Sequence, residues 1–141
     1  MAQTISDCAV NDFAVFRGSE DLVFATVGFE TIRLWKIDEE SEDLLVLDVP
    51  CEKANFTSVA STGKLSAPYN CSQLLIIGTE TGDVILYDPE RENDGFLAKI
   101  EGVCKSQIGM IHTTETSIIL GDIMGSIIRQ PITPDAYFFE E

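Results

Sequence analysis

The segment Leu75-Ile76-Ile77-Gly78-Thr79-Glu80-Thr81-Gly82-Asp83-Val84-Ile85-Leu86-Tyr87-Asp88-Pro89 is an apolar run, a short glycine-containing turn and a second apolar run. Aliphatic and β-branched residues favour a pleated, buried backbone, and glycine supplies the unusual φ that a tight turn needs. The runs are too short for helices and show no 3.6-residue period. They predict a β-hairpin. Consecutive apolar residues also predict burial on both faces.

Two further segments repeat this plan. Val23 to Ile37 holds Gly28 between two apolar runs, and Ile118 to Ile132 holds Gly121 and Gly125. Aligning Trp35, Tyr87 and Gln130 gives spacings of 52 and 43 residues. The second spacing matches the period of about 40–45 residues expected for four-stranded propeller blades. The first is longer, and Ser61 to Asn70, which is small, polar and turn-rich, reads as an inserted surface loop. Flanking strands are expected at Cys8 to Phe16, Phe56 to Ala60 and Gln107 to Thr113 ahead of the hairpins. Leu44 to Val49, Phe96 to Ile100 and Ala136 to Phe139 are expected behind them. The fold class predicted is all-β: about three four-stranded antiparallel blades of a partial β-propeller, at residues 1–50, 51–101 and 102–141.

Thr31-Ile32-Arg33-Leu34-Trp35 and Gly82-Asp83-Val84-Ile85-Leu86-Tyr87 resemble the ends of WD-repeat blades. Tyr87-Asp88 stands where that family has tryptophan-aspartate, and Trp35-Lys36 keeps the tryptophan. The family's turn aspartate is replaced at Phe29, Thr81 and Met124, and Gly102-Val103 stands for its glycine-histidine. The family's Asp-His-Ser/Thr-Trp hydrogen-bond network is therefore not expected. Asp12 to Trp35 resembles blades of flagellar and centriolar WD-repeat proteins. That resemblance implies a structural component bound to axonemal or centriolar microtubules.

Closed propellers have four to eight blades. Three blades leave apolar sheet faces that something must cover, either the rest of a larger protein, a partner chain or a second copy completing a ring. A single barrel or sandwich of the same strands is the alternative.

Composition narrows the partners. The 141 residues are 45% apolar, enough for a core, and carry 9 lysines and arginines against 24 aspartates and glutamates, a formal charge of −15. This charge disfavours nucleic acid and anionic membrane surfaces as direct partners. The first dozen residues lack a basic region followed by an apolar stretch, so no secretory signal is expected, and Gly does not follow Met1. No apolar run approaches the length of about 18 residues that a membrane span needs. Cys8, Cys51, Cys71 and Cys104 contain no Cys-x-x-Cys pair and His112 is the single histidine, so reduced cysteines acting as small apolar residues are expected. The acceptor patterns at Asn55 and Asn70 are expected to stay unmodified.

Candidate chemistry is sparse. His112 has Ser106, Thr113 and Glu115 nearby in sequence, without a triad signature. Asp38-Glu39-Glu40-Ser41-Glu42-Asp43 lacks calcium-loop spacing and reads as a solvated loop, or as a docking loop for a basic partner. Gly78 to Gly82 lacks the lysine of a phosphate loop and reads as a turn. Asp88 to Gly95 reads as a second acidic loop. Trp35 and Tyr87 are expected to be packing residues, and Tyr137-Phe138-Phe139 a last strand or an exposed aromatic clasp. No catalytic, cofactor-binding or metal-ligating residue is assigned, and no cofactor is expected. The function predicted is a non-catalytic, cytoplasmic scaffold for protein assembly, its partners other proteins or further blades. A ciliary, flagellar or cytoskeletal place follows from the resemblance alone. The alternatives are a self-associating subunit that completes a ring, and a small β-barrel ligand-binding protein or enzyme.

Overall fold

The computed structural model describes residues 8–16, 22–91 and 94–140. Among them, eleven strands form three antiparallel sheets in chain order, and no helix occurs. Sheet 1 contains β1 (Asp12–Val15), β2 (Leu22–Gly28), β3 (Thr31–Ile37) and β4 (Leu44–Asp48). Sheet 2 contains β5 (Phe56–Ser61), β6 (Leu75–Thr79), β7 (Val84–Tyr87) and β8 (Phe96–Ile100). Sheet 3 contains β9 (Ile108–Thr113), β10 (Ser117–Asp122) and β11 (Ile127–Pro131). Each sheet is a meander, with every strand beside its neighbour in sequence. The first strands line up across the sheets, β5 touching β1 on one side and β9 on the other.

The repeat found in the sequence is the repeat of the structure. Phe24 pairs with Trp35, Leu75 with Tyr87 and Ile118 with Gln130. These three pairs occupy the same place and the same face of their sheets. One residue along, the opposite face carries the pairs Ala25–Leu34, Ile76–Leu86 and Ile119–Arg129. Side chains alternate across a strand, so each sheet has a leading face and a trailing face.

Two cores follow from that alternation. Ala25, Val27, Ile32 and Leu34 of sheet 1 pack with Leu75, Ile77, Ile85 and Tyr87 of sheet 2. Ile76, Val84 and Leu86 of sheet 2 pack with Ile108, Ile118 and Leu120 of sheet 3. Sheet 2 is therefore covered on both sides, and every residue of β6 and β7 is buried. This is why their sequences lack polar alternation. Polar links tie the sheets at the inner strands. Val59 N donates to Asp12 Oδ2 at 3.0 Å, and the Thr113 hydroxyl donates to the Ser61 carbonyl at 2.7 Å.

The sequence reading is corrected at the end of the chain. Residues 136–139 form no strand, so sheet 3 has three strands where four were expected. Left-handed backbone at Asp135 and Phe139 interrupts the extended run. Burial of one ring outweighs pairing: Phe138 is 2% exposed, packs on Tyr69 at 4.7 Å and donates its N–H to the Tyr69 hydroxyl.

Candidate interaction surfaces

Two of the three repeated hairpin turns, β6–β7 and β10–β11, are held by aspartates at places the sequence did not mark out. Asp122 Oδ1 accepts the N–H groups of Met124 and Ser126 at 3.0 and 2.8 Å. These bonds, with the Ser126 N–H first, hold the Asp122 carboxyl below its ordinary range. Asp83 accepts the Thr81 hydroxyl and the Gly102 N–H, tying the β6–β7 turn to the segment after β8. Neither aspartate stands at the family's turn position. The signal in the sequence was an aspartate close to the turn glycine, Asp83 directly after Gly82 and Asp122 three residues before Gly125, residues that favour side-chain bonds to a turn.

Trp35 and Tyr87 are buried packing residues, as expected. The Trp35 indole N–H donates to the Thr26 hydroxyl at 2.9 Å, and its ring stacks on Phe24 at 5.5 Å. The Trp–Thr end of the four-residue network thus forms without its histidine and aspartate. A tryptophan buried beside a threonine on the adjacent strand needs no longer relay to satisfy its donor.

The remaining candidates do not converge. His112 projects from the trailing face of β9, and Thr113 from the leading face, because successive residues point oppositely. Ser106 lies before the start of β9, roughly 20 Å of extended chain from His112. Glu115 is exposed in the turn after β9. The acidic run closes the β3–β4 hairpin, Asp38 accepting the Glu40 N–H and the Ser41 hydroxyl. Among the described residues, no three His, Cys, Asp or Glu side chains are grouped to hold a metal ion. Gly78 to Gly82 is a hairpin turn, as expected, with the Gly82 N–H donating to the Thr79 carbonyl.

None of the four cysteines forms a disulfide, and Cys71 and Cys104 are buried. Burial, then the charge of Asp88, pushes the Cys71 thiol up to about 11. It is therefore protonated at neutral pH and a poor nucleophile.

What the molecule offers is surface. No other sheet of the described residues packs on the leading face of sheet 1 or on the trailing face of sheet 3. On the sheet 1 face Trp35 and Thr26 are themselves buried, and the open part of the face is formed by exposed Phe13, Val15 and Val46 around the Phe24–Trp35 stack and the Arg33–Asp48 ion pair. The sheet 3 face carries Met110, Ile119, Ile127, His112 and Arg129, with Ile123 and Met124 beside it on the turn. One repeat position shows the contrast. Ile32 in sheet 1 and Val84 in sheet 2 are 1% and 0% exposed, whereas their counterpart Ile127 is 77% exposed. A third opening, a cavity of about 610 Å³, is lined by β1, β5 and β9 and includes Val15, Lys64 and His112.

This arrangement is similar to solved structures. The crystal structure of the WD40 β-propeller domain of Doa1 superposes with a TM-score of 0.66 at 15% identity, over 96% of this chain and 40% of that one. A chain in the crystal structure of the Mitotic Checkpoint Complex superposes with a TM-score of 0.57 at 21% identity, over 86% of this chain and 32% of that one. The chain has the fold of consecutive WD40-type propeller blades and spans well under half of each of these chains. No family model and no curated protein matches the sequence.

Proposed function

We propose that the chain is a non-catalytic scaffold of protein assembly whose uncovered sheet faces are seats for further β-sheet structure. The exposure of Ile127 carries this reading. Its counterparts are buried by a neighbouring sheet in both other blades, and an apolar residue left on a flat sheet face is stabilised when a neighbour covers it. Met110, Ile123 and Met124 extend the same apolar patch. Methionine packs adaptably and suits a protein-binding surface. The covering sheet belongs to a partner protein or to further blades of a larger ring. The place of action proposed is the cytoplasm, where free cysteines persist. Docking in a ciliary or flagellar microtubule-associated complex is the narrower form, supported by the resemblance of Asp12 to Trp35 alone.

The test is affinity capture from cells with the native chain and with Ile127→Glu, followed by mass identification. A defined set of proteins recovered by the native chain and lost with the variant supports the reading. Recovery of the same set by both, or of none by either, contradicts it. Axonemal or centriolar proteins in the lost set support the narrower form, and their absence removes it.

A further inference from the structure

Sheet 3 lacks a strand that its siblings have. In sheet 1 the outer side of β3 is paired, Leu34 opposite Leu47 and the Ile32 carbonyl accepting the Val49 N–H at 2.9 Å. In sheet 2 the outer side of β7 is paired, Leu86 opposite Ala98 and Val84 opposite Ile100. The counterpart positions on β11 are Arg129 and Ile127, and no strand of the described residues pairs with that side.

The register shows which groups are left over. Asp122 N donates to the Ser126 carbonyl and Ile132 N to the Thr116 carbonyl, at the two ends of the β10–β11 ladder. Hydrogen-bonded pairs alternate along an antiparallel ladder. Ile128 and Gln130 therefore bond to β10, while the N–H and C=O groups of Ile127 and Arg129 point outward. Pro131 closes the row, having no N–H to offer. The described residues after β11 make no backbone pairing with this edge: Phe139 donates its N–H to the Gln130 side chain, and Phe139 and Glu140 line the space beside it.

The space beside this edge fits a strand. A groove of about 1010 Å³ runs between β11 and β8, with Ile100, Val103 and Ile128 on its apolar side. Charge adds a requirement. Of the described arginines, Arg33 pairs with Asp48 and Arg91 with Asp88. Arg129 is exposed on the opposite side of the edge and has no carboxylate partner among the described residues. On a chain of net charge −15, it is a cation left for another molecule.

We propose that β11 takes its fourth strand from a separate polypeptide. The occupant is an extended segment, apolar at the alternate positions facing Ile100 and Val103, with a carboxylate on its other face beside Arg129. Backbone bonds to Ile127 and Arg129 supply affinity, and the alternating side chains supply selectivity. A second copy is the weaker occupant, because two chains of charge −15 repel. The inference rests on the scaffold reading and names how one partner is held.

The test uses a displayed library of twelve-residue random peptides against the folded full chain, with native, Arg129→Ala and Arg129→Pro forms. Enriched peptides should alternate apolar and polar residues and carry aspartate or glutamate. Arg129→Ala should relax the acidic preference. Arg129→Pro, which also removes one outward N–H while sparing the β10 ladder, should weaken binding further, by about tenfold in all. Amide exchange supplies a second readout that does not depend on a variant folding. The Ile127 and Arg129 amides should exchange fast in the free protein and become protected with peptide, whereas Ile128 and Gln130 stay protected in both. No enrichment of alternating sequences, or enriched peptides that leave the Ile127 and Arg129 amides unchanged, overturns the proposal. So does protection of those amides without peptide, whether independent of concentration (the chain covering itself) or rising with it (a second copy). Loss of partners with Ile127→Glu alongside unchanged outward amides would remove this inference and leave the scaffold reading standing.

Discussion

Phe56→Ala is expected to destabilise the chain by about 3–5 kcal/mol, read as a fall in the urea midpoint. Phe56 opens β5 and is fully buried in the core shared by sheets 1 and 2. Its surroundings are locked by polar bonds. The Asn11 side-chain amide donates to the Phe56 carbonyl at 2.9 Å and to Asn55 Oδ1 at 3.0 Å. Glu30 N donates to the Ala54 carbonyl, and Glu80 N to the Asn55 carbonyl. A site pinned from both sheets cannot collapse around a truncated side chain, so the cavity persists and the cost sits toward the upper end of the range. Domains of this size are held by only about 5–15 kcal/mol in total, so the variant should be largely unfolded at denaturant concentrations the native chain withstands. A loss below about 1 kcal/mol would mean that Phe56 does not lie between the sheets.

Gly82→Ala is expected to cost about 2–4 kcal/mol. Gly82 has φ +85°, a left-handed conformation that costs an L side chain about 1–2 kcal/mol. A methyl group there would also overlap the Cys104 carbonyl oxygen, which is backbone and cannot rotate away. The Cys104 N–H donates to the Gly82 carbonyl, so the turn and the segment leading into β9 would have to part. Gly125 is the control. It holds the counterpart turn at φ +94°, and nothing lies within 4 Å of a methyl group there. Gly125→Ala should therefore pay only the backbone cost, about 1–2 kcal/mol. The difference between the two variants in thermal or urea unfolding measures the contact that joins sheet 2 to sheet 3. Equal losses would mean that the contact contributes nothing.

Much of this fold was legible because a hairpin buried on both faces leaves a plain pattern. The apolar pairs flanking Gly78 and Gly82 gave the strands, and aligning Trp35, Tyr87 and Gln130 placed residues that share one site in three sheets. What was not legible depended on competition between local and distant contacts. Tyr137 to Phe139 has strand-forming residues, but Phe138 finds Tyr69, far away in sequence, and the tail turns instead. The turn aspartates were missed because matching to a family position favoured Thr81 and Met124 over the neighbours that bond the turn, Asp83 and Asp122. The candidate surfaces were half legible. Three blades implied uncovered faces, but which residues stand exposed on them, and that β11 has a free outer edge, follow only from the register and the burial of each position.

The central claim is that sheet 2 is sandwiched, its neighbouring residues Ile76 and Ile77 facing different sheets. Methyl-to-methyl nuclear Overhauser contacts on a chain labelled at isoleucine, leucine and valine test it most directly. Ile77 should show cross-peaks to sheet 1 methyls such as Val27 and Ile32, and Ile76 to sheet 3 methyls such as Ile118 and Leu120, with none joining Ile32 to Ile118. Cross-peaks between Ile32 and Ile118 would show sheets 1 and 3 closing on each other as a barrel and would contradict the stacked-blade account.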